Sequence, residues 1–280
     1  MNAKCLQPSP TSLLRSTVVL LLVLSPCVLH AKEPVAWNFW VPSNEAGSAS
    51  IDHRDWQYIL DTYLVADNPS GINLFAYGDV TTTDRDRLSR YINKLATTDP
   101  RKFSRAEQRA YWINLYNALT VALVIDFYPV ESIREIHGGL FNSGPWDEKL
   151  IEIARQKLTL NDIEHRILRP VFRDPRTHYA INCASIGCPN LATQAYTKAN
   201  MERLLDEGAR AFINHPRGVS LADGRLQTSS IYKWFSVDFG ASTADLIDHL
   251  LFYAQPELAK KLQSFNGEIA YAYDWQLNEP

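Results

Sequence analysis

The chain has 280 residues, 46% of them hydrophobic and 21% charged, with 28 basic and 31 acidic side chains. That composition excludes a disordered or fibrous chain and is ample for a sizeable core. A net charge of −3 without any basic stripe argues against nucleic acid as a partner.

Lys4 and Arg15 precede the apolar run "STVVLLLVLSPCVLHA", and no further charge occurs until Lys32. A short basic region, a short apolar stretch and a small residue before a polar start predict a signal peptide over residues 1–31, cut near Ala31. A lipoprotein reading at Cys27 fits poorly because Pro26 precedes it, and the run is too short and too Pro-interrupted for a good membrane span. The expected location is periplasmic or secreted, with no stable membrane span after signal removal. Without residues 1–31 the chain carries 26 basic and 31 acidic residues.

Residues 32–50, rich in Pro, Ser and Trp, read as an extended N-terminal arm. In "HRDWQYILDTYLV" the residues Trp56, Ile59, Leu60, Tyr63 and Leu64 share one helix face. A turn and short strand follow in "PSGINLFAYGDVT". Thr83 is placed to cap "DRDRLSRYINKLATT", whose face is Leu88, Tyr91, Ile92 and Leu95. "SRAEQRAYWINLYNALTVALVIDFYP" predicts a helix that is apolar on nearly all sides and therefore buried. Ser104 and Glu107 give it a capping box, and Pro129 stops it. "VESIREI" is a short helix. A hairpin is predicted from Lys149 to Leu158, then a helix capped at Asn161.

"HYAIN" (residues 178–182) is β-prone and "CASIGCPN" holds turn residues. "TKANMERLLDEGARAFINHP" is an amphipathic helix, and "GVSLADGRLQTSSIYKWF" a hairpin turning at Asp223–Gly224. "STADLIDHLLFYAQPELAKKL" reads as one helix and "GEIAYAYDWQLN" as a strand. The expectation is a single α+β domain over residues 51–280, helices predominating, with a buried central helix packed against a small antiparallel sheet.

Chemistry is concentrated in two places. At 100° per residue, Glu107, Tyr111 and Asn114 fall within about a 60° arc of the buried helix, with Asn117 one turn further. Buried polar groups need partners. Either Glu107 only caps the helix and the asparagines tie down a neighbouring loop, or they form a polar cluster that orients a catalytic group. Trp112 and Tyr116 read as packing.

The second place is "HYAINCASIGCPNL", residues 178–191, with the only cysteines beyond the first thirty residues. On a straight strand His178 and Cys183 face opposite sides; they meet only if the chain turns just past Asn182. Four readings remain open. Cys183, Cys188 and His178 supply three metal ligands, but C-x4-C lacks the usual knuckle spacing, so no metal is expected. A Cys183–Cys188 disulfide suits an oxidising compartment. The cysteines are otherwise inert core residues, or Cys183 is a catalytic thiol with His178 as its base. His165 reads as surface, and His53, His137, His215 and His249 as near loops or exposed faces. The chain holds no GxSxG, P-loop, HExxH or GxGxxG motif.

"AYWINLYNALTVALVIDFYPVESIREI", "LTLNDIEHRILRP", "DPRTHYAINCASIGCPNL" and "YDWQLN" occur in that order. Through them the chain resembles the family called domain of unknown function 547, as an exported bacterial member, from about Glu107 to Asn278. The resemblance maps the family's recurrent positions onto Glu107, Trp112, Asn114, Tyr116, Asn117, Glu164, His178, Cys183 and Pro189. The motif order, a buried helix then a segment carrying His, is similar to papain- and transglutaminase-like thiol enzymes. In those the cysteine usually opens the buried helix, whereas here Cys183 follows His178.

The functional expectation is a thiol-dependent hydrolase or acyl transferase acting on an amide or thioester. Cys183 would be the nucleophile, His178 the base, and Glu107 the orienting acid, supported by Asn114, Asn117 and Asn182. Backbone N–H groups after Cys183 would hold the oxyanion. No cofactor is expected; the ligand is a small molecule, peptide or glycan. The alternative is a non-catalytic binding or scaffold domain with a structural or redox Cys183–Cys188 pair, whose aromatic surface includes Trp37, Trp40, Trp146 and Trp234.

Overall fold

The helix expected after Ser104 is Arg105–Phe127 in the computed structural model, which describes residues 33–136, 144–222 and 224–280. The expected signal peptide and His137 lie outside the described residues. Helices predominate, and the class is α+β. The α-helices are α1 (Arg54–Tyr63), α2 (Thr82–Ala96), α3 (Arg105–Phe127), α4 (Arg169–Phe172), α5 (Met201–Ile213), α6 (Ile231–Trp234), α7 (Thr243–Tyr253) and α8 (Pro256–Gln263). The strands are β1 (Leu64–Val65), β2 (Leu74–Phe75), β3 (Ile151–Ile153), β4 (Gln156–Leu158), β5 (Val219–Ala222), β6 (Arg225–Ser229) and β7 (Ile269–Ala272).

Ser104 caps α3 by accepting from Glu107 N at 3.4 Å. Apolar residues all round the helix require burial on all sides, and Ala110, Ile113, Leu115 and Val124 are fully buried. Fully burying each large side chain stabilises by about 1.5–3 kcal/mol. By length and hydropathy α3 resembles a membrane span, but 83% of its apolar window is buried inside this fold.

The strands form three small sheets. β1–β2 and β3–β4 are antiparallel hairpins, while the third has the order β5–β6–β7 with β6 and β7 parallel. Ala154 and Arg155 turn the β3–β4 hairpin with positive φ at both positions. Two hydrophobic clusters result. One surrounds α3 and includes Ala180 and Ile181; the other joins α5, β5, β6 and α7 and includes Tyr179. The segment before Cys183 therefore crosses from one cluster to the other.

Several local expectations are corrected. The cap of α2 is Thr81, which accepts from Asp84 N, not Thr83. Thr159 and Asp162 form a reciprocal capping pair, Asp162 N to Thr159 Oγ1 at 2.9 Å and Thr159 N to Asp162 Oδ2 at 3.1 Å, in place of a cap at Asn161. The helix that follows is a π-helix over Asp162–Leu168 before α4. "HYAIN" is not a strand: Pro175–Tyr179 is a 3-10 helix, and residues 181–183 have no regular secondary structure. The long C-terminal helix is broken into α7 and α8, because Ala254 and Gln255 are extended ahead of Pro256. The N-terminal arm contains a 3-10 turn, Asn38–Trp40, and buries Trp40 edge-on against Trp112 with ring centroids 5.1 Å apart.

After β7 the chain runs across the cysteine loop. Ile186 N donates to Gln276 O and Gly187 N to Asp274 O, both at 2.8 Å, and Ser185 bridges Leu277. The approach is so close at Gly187 that a Cβ would lie 2.7 Å from Asp274 O. Leu277 N reaches Glu131 O at 2.8 Å, and Asn278 accepts from Tyr77 Oη at 2.7 Å.

Candidate functional site

The asparagines of α3 hold loops. Asn117 donates through Nδ2 to Ala180 O and accepts at Oδ1 from Asn182 N, both at 2.9 Å. Asn114 clamps Tyr196 in the same way, to O at 2.7 Å and from N at 2.9 Å. Asn182 continues the brace, donating to Pro189 O at 2.7 Å and accepting from Ala184 N at 2.8 Å. Of the two readings of these residues, the contacts fit the one in which they tie down a neighbouring loop. The backbone bends just past Asn182, with Ala184 in the left-handed region (φ 59°).

The bend brings Cys183 and His178 to one cleft of about 440 Å³ and joins Cys183 to Cys188 in a disulfide. Glu164, on the π-helix, lines the same cleft, as do Tyr116, Trp146, Trp234, Tyr273 and Trp275. π-helical turns recur at functional sites, and this one carries an acid that is buried rather than solvated.

Glu107 is not part of this group. Its carboxylate accepts from Ile51 N at 3.3 Å, which anchors the chain ahead of α1. The acids beside the imidazole are others. His178 Nε2 lies 2.6 Å from Asp238 Oδ2, and Nδ1 lies 3.8 Å from Glu164 Oε1. The His178 ring stacks on Phe235 with centroids 4.3 Å apart. Asp238 also pairs with Arg169. Burial works to raise the Asp238 carboxyl, but hydrogen bonds from His178 and Arg169 outweigh it and lower it to about 2. The imidazole is thus held at Nε2 by an ionised carboxylate.

Both sulfurs have donors. Cys183 N donates to Cys188 Sγ at 2.9 Å, and Tyr273 Oη donates to Cys188 Sγ at 3.2 Å. Tyr273 Oη is 3.0 Å from Cys183 Sγ and 3.0 Å from Ser185 Oγ. Burial pushes the Tyr273 phenol up, so it keeps its proton as a donor. Arg217 spans the loop from behind, donating to Ile186 O at 3.0 Å and to Asn190 Oδ1. Its Nε lacks a partner, and among the described residues no carboxylate pairs with it. Burial lowers Arg217 to about 10.

The N–H groups expected to hold an oxyanion are mostly engaged: Ala184 on Asn182, Ile186 and Gly187 on the tail, and Cys188 on Ser185 O at 3.0 Å. Cys183 N is engaged as well, on Cys188 Sγ at 2.9 Å.

Other expectations change as well. His165 is half-exposed and lines the cleft, 3.7 Å from Glu164 Oε1. His53 is buried on Tyr91, with Nδ1 2.7 Å from Oη, and burial lowers it to about 4. His249 is half-buried on Tyr179, at 2.7 Å from Oη. Trp40 is buried and Trp37 is half-buried on Arg166, so neither belongs to an open aromatic surface; Trp146 and Trp234 do line the cleft. Among the described residues no group of three or more His, Cys, Asp or Glu is placed to hold a metal. Sequence reasoning missed Asp238, Tyr273 and Arg217. Asp238 had one signal, a lone acid inside the aromatic run "WFSVDF", and Tyr273 opens the quoted "YDWQLN".

Residues 100–213 match the family described as "Protein of unknown function, DUF547", which supports the resemblance over that stretch. The match includes α3, Glu164, His178 and both cysteines; Arg217, Asp238 and Tyr273 lie beyond it. No curated protein and no solved structure matches the chain.

Proposed function

We propose that the cleft is a thiol active site for acyl transfer or hydrolysis, with an amide or thioester as substrate. The observation that carries this reading is the 2.6 Å His178–Asp238 contact behind an imidazole that shares its cleft with Cys183. Asp238 takes the orienting role first assigned to Glu107. In an exported protein the disulfide would be the resting form, and the working form requires an external dithiol, which is oxidised as Cys183 and Cys188 become thiols.

His178 Nδ1 then takes the Cys183 proton, and Sγ attacks the carbonyl carbon. Collapse of the tetrahedral adduct breaks the bond to the leaving amine or thiolate, which receives that proton. Water or an acceptor amine releases the acyl group from Cys183 and restores the thiol. Cys183 N–H and Tyr273 Oη are the donors nearest the sulfur for the developing oxyanion.

The test is alkylation of the reduced protein by iodoacetamide at neutral pH. Cys183 is expected to react at least ten times faster than a free small-molecule thiol, and Asp238→Asn to remove most of that advantage. A Cys183 no faster than the free thiol would sink the proposal.

A second reading is favoured by the Cys183–Cys188 bond and by the ring contacts Trp234–Tyr273 at 4.9 Å and Tyr273–Trp275 at 4.6 Å. It is a binding cleft with an aromatic wall, braced by a structural disulfide. In that case Cys183→Ser leaves ligand binding intact.

A further inference from the structure

The two sulfurs of the disulfide have unequal surroundings. Cys188 is 4% exposed, and its Sγ already accepts from Cys183 N at 2.9 Å and from Tyr273 Oη at 3.2 Å. Cys183 is half-buried; both residues line the cleft and Tyr273 Oη also lies 3.0 Å from Cys183 Sγ, so the asymmetry is in burial and in the Cys183 N–H, which is on Cys188 alone. The half-buried Arg217, with no carboxylate partner among the described residues, holds the loop between them. Thiol–disulfide exchange favours attack at the accessible sulfur and departure of the thiolate that is better stabilised.

We infer that the disulfide is opened in one direction: an external dithiol attacks Cys183 Sγ, and Cys188 leaves as a thiolate held by Tyr273 and the Cys183 amide. In the first step the incoming thiolate bonds to Cys183 Sγ, the Sγ–Sγ bond breaks, and its electron pair goes to Cys188. In the second step the other thiol of the reductant attacks its own mixed disulfide, departs as a cyclic or protein disulfide, and frees Cys183. Two electrons pass from the dithiol to the pair. As a switch, the step exposes the nucleophile. That consequence rests on the thiol reading of the cleft; the direction of exchange does not.

The direction is tested on the oxidised full chain. It is treated with glutathione, trapped with N-ethylmaleimide, and mapped by peptide mass. Glutathione is expected on Cys183 and the maleimide on Cys188; an even split or the reverse pattern overturns the inference. Tyr273→Phe should slow opening by dithiothreitol about 3–10-fold, as loss of a hydrogen bond to a developing thiolate predicts. An unchanged rate in the folded variant removes Tyr273 from the step. If that variant fails to fold, the wild-type mapping alone decides. A reduced protein with correct mapping but without acyl turnover would defeat the proposed function and leave this inference standing.

Discussion

Asn117 is the side chain on which the position of the site depends most directly. It is 2% exposed, and its amide holds Ala180 O and Asn182 N, themselves 1% and 5% exposed residues. Asn117→Ala removes two hydrogen bonds and leaves a buried carbonyl and a buried N–H without partners. Each such group costs about 1–3 kcal/mol, so the expected loss for the two is about 2–6 kcal/mol. Urea unfolding measures it as a lower midpoint at unchanged slope. Asn114→Ala is the control, because it frees the same pair of groups at Tyr196, away from the cleft. Both variants should lose similar stability, but only Asn117→Ala should slow alkylation of reduced Cys183 under conditions where both remain folded. A loss below about 1 kcal/mol would refute the claim that these bonds are buried and unreplaced. Equal alkylation rates would refute the claim that Asn117 positions the site.

Two further outcomes are expected. Burial holds His53 at about 4, below its ordinary 6.5. The unfolded chain takes up a proton first as pH falls, so this contribution to stability is full above pH 6.5 and is lost progressively towards pH 4. His53→Gln keeps an acceptor for Tyr91 and should flatten the decline of melting temperature across that window; an unaltered slope would count against burial as the cause. Glu107→Ala should cost about 1–3 kcal/mol by stranding Ile51 N, yet change Cys183 alkylation less than twofold. A tenfold drop would return Glu107 to the site.

The parts legible in the sequence are those set by short-range pattern. Apolar residues all round the stretch after Ser104 require burial, and α3 is buried. The Lys149–Leu158 hairpin and the final strand likewise follow from local alternation. The candidate site was half legible. His178, Cys183 and the asparagines stand out because polar groups in apolar runs need partners, and the bend past Asn182 is present. What failed required long-range information. Glu107 sits within the arc of Asn114 on a helical wheel, but a wheel cannot tell which neighbour each side of a fully buried helix meets. Asp238 lies 60 residues beyond His178, and only packing of α6 and the turn after it brings the two together. In "HYAIN" the Asn117 side chain, not a neighbouring strand, takes up Ala180 O and Asn182 N.

The tail after β7 has a consequence for biosynthesis. The bonds from Ile186, Gly187 and Ser185 to Gln276, Asp274 and Leu277 mean that one wall of the cleft is emitted by the ribosome about ninety residues after the cysteines it covers. During translation both thiols are therefore born uncovered, without the phenol of Tyr273. Any oxidant or trapping partner that meets the nascent chain encounters a cysteine pair whose chemistry differs from that of the finished protein.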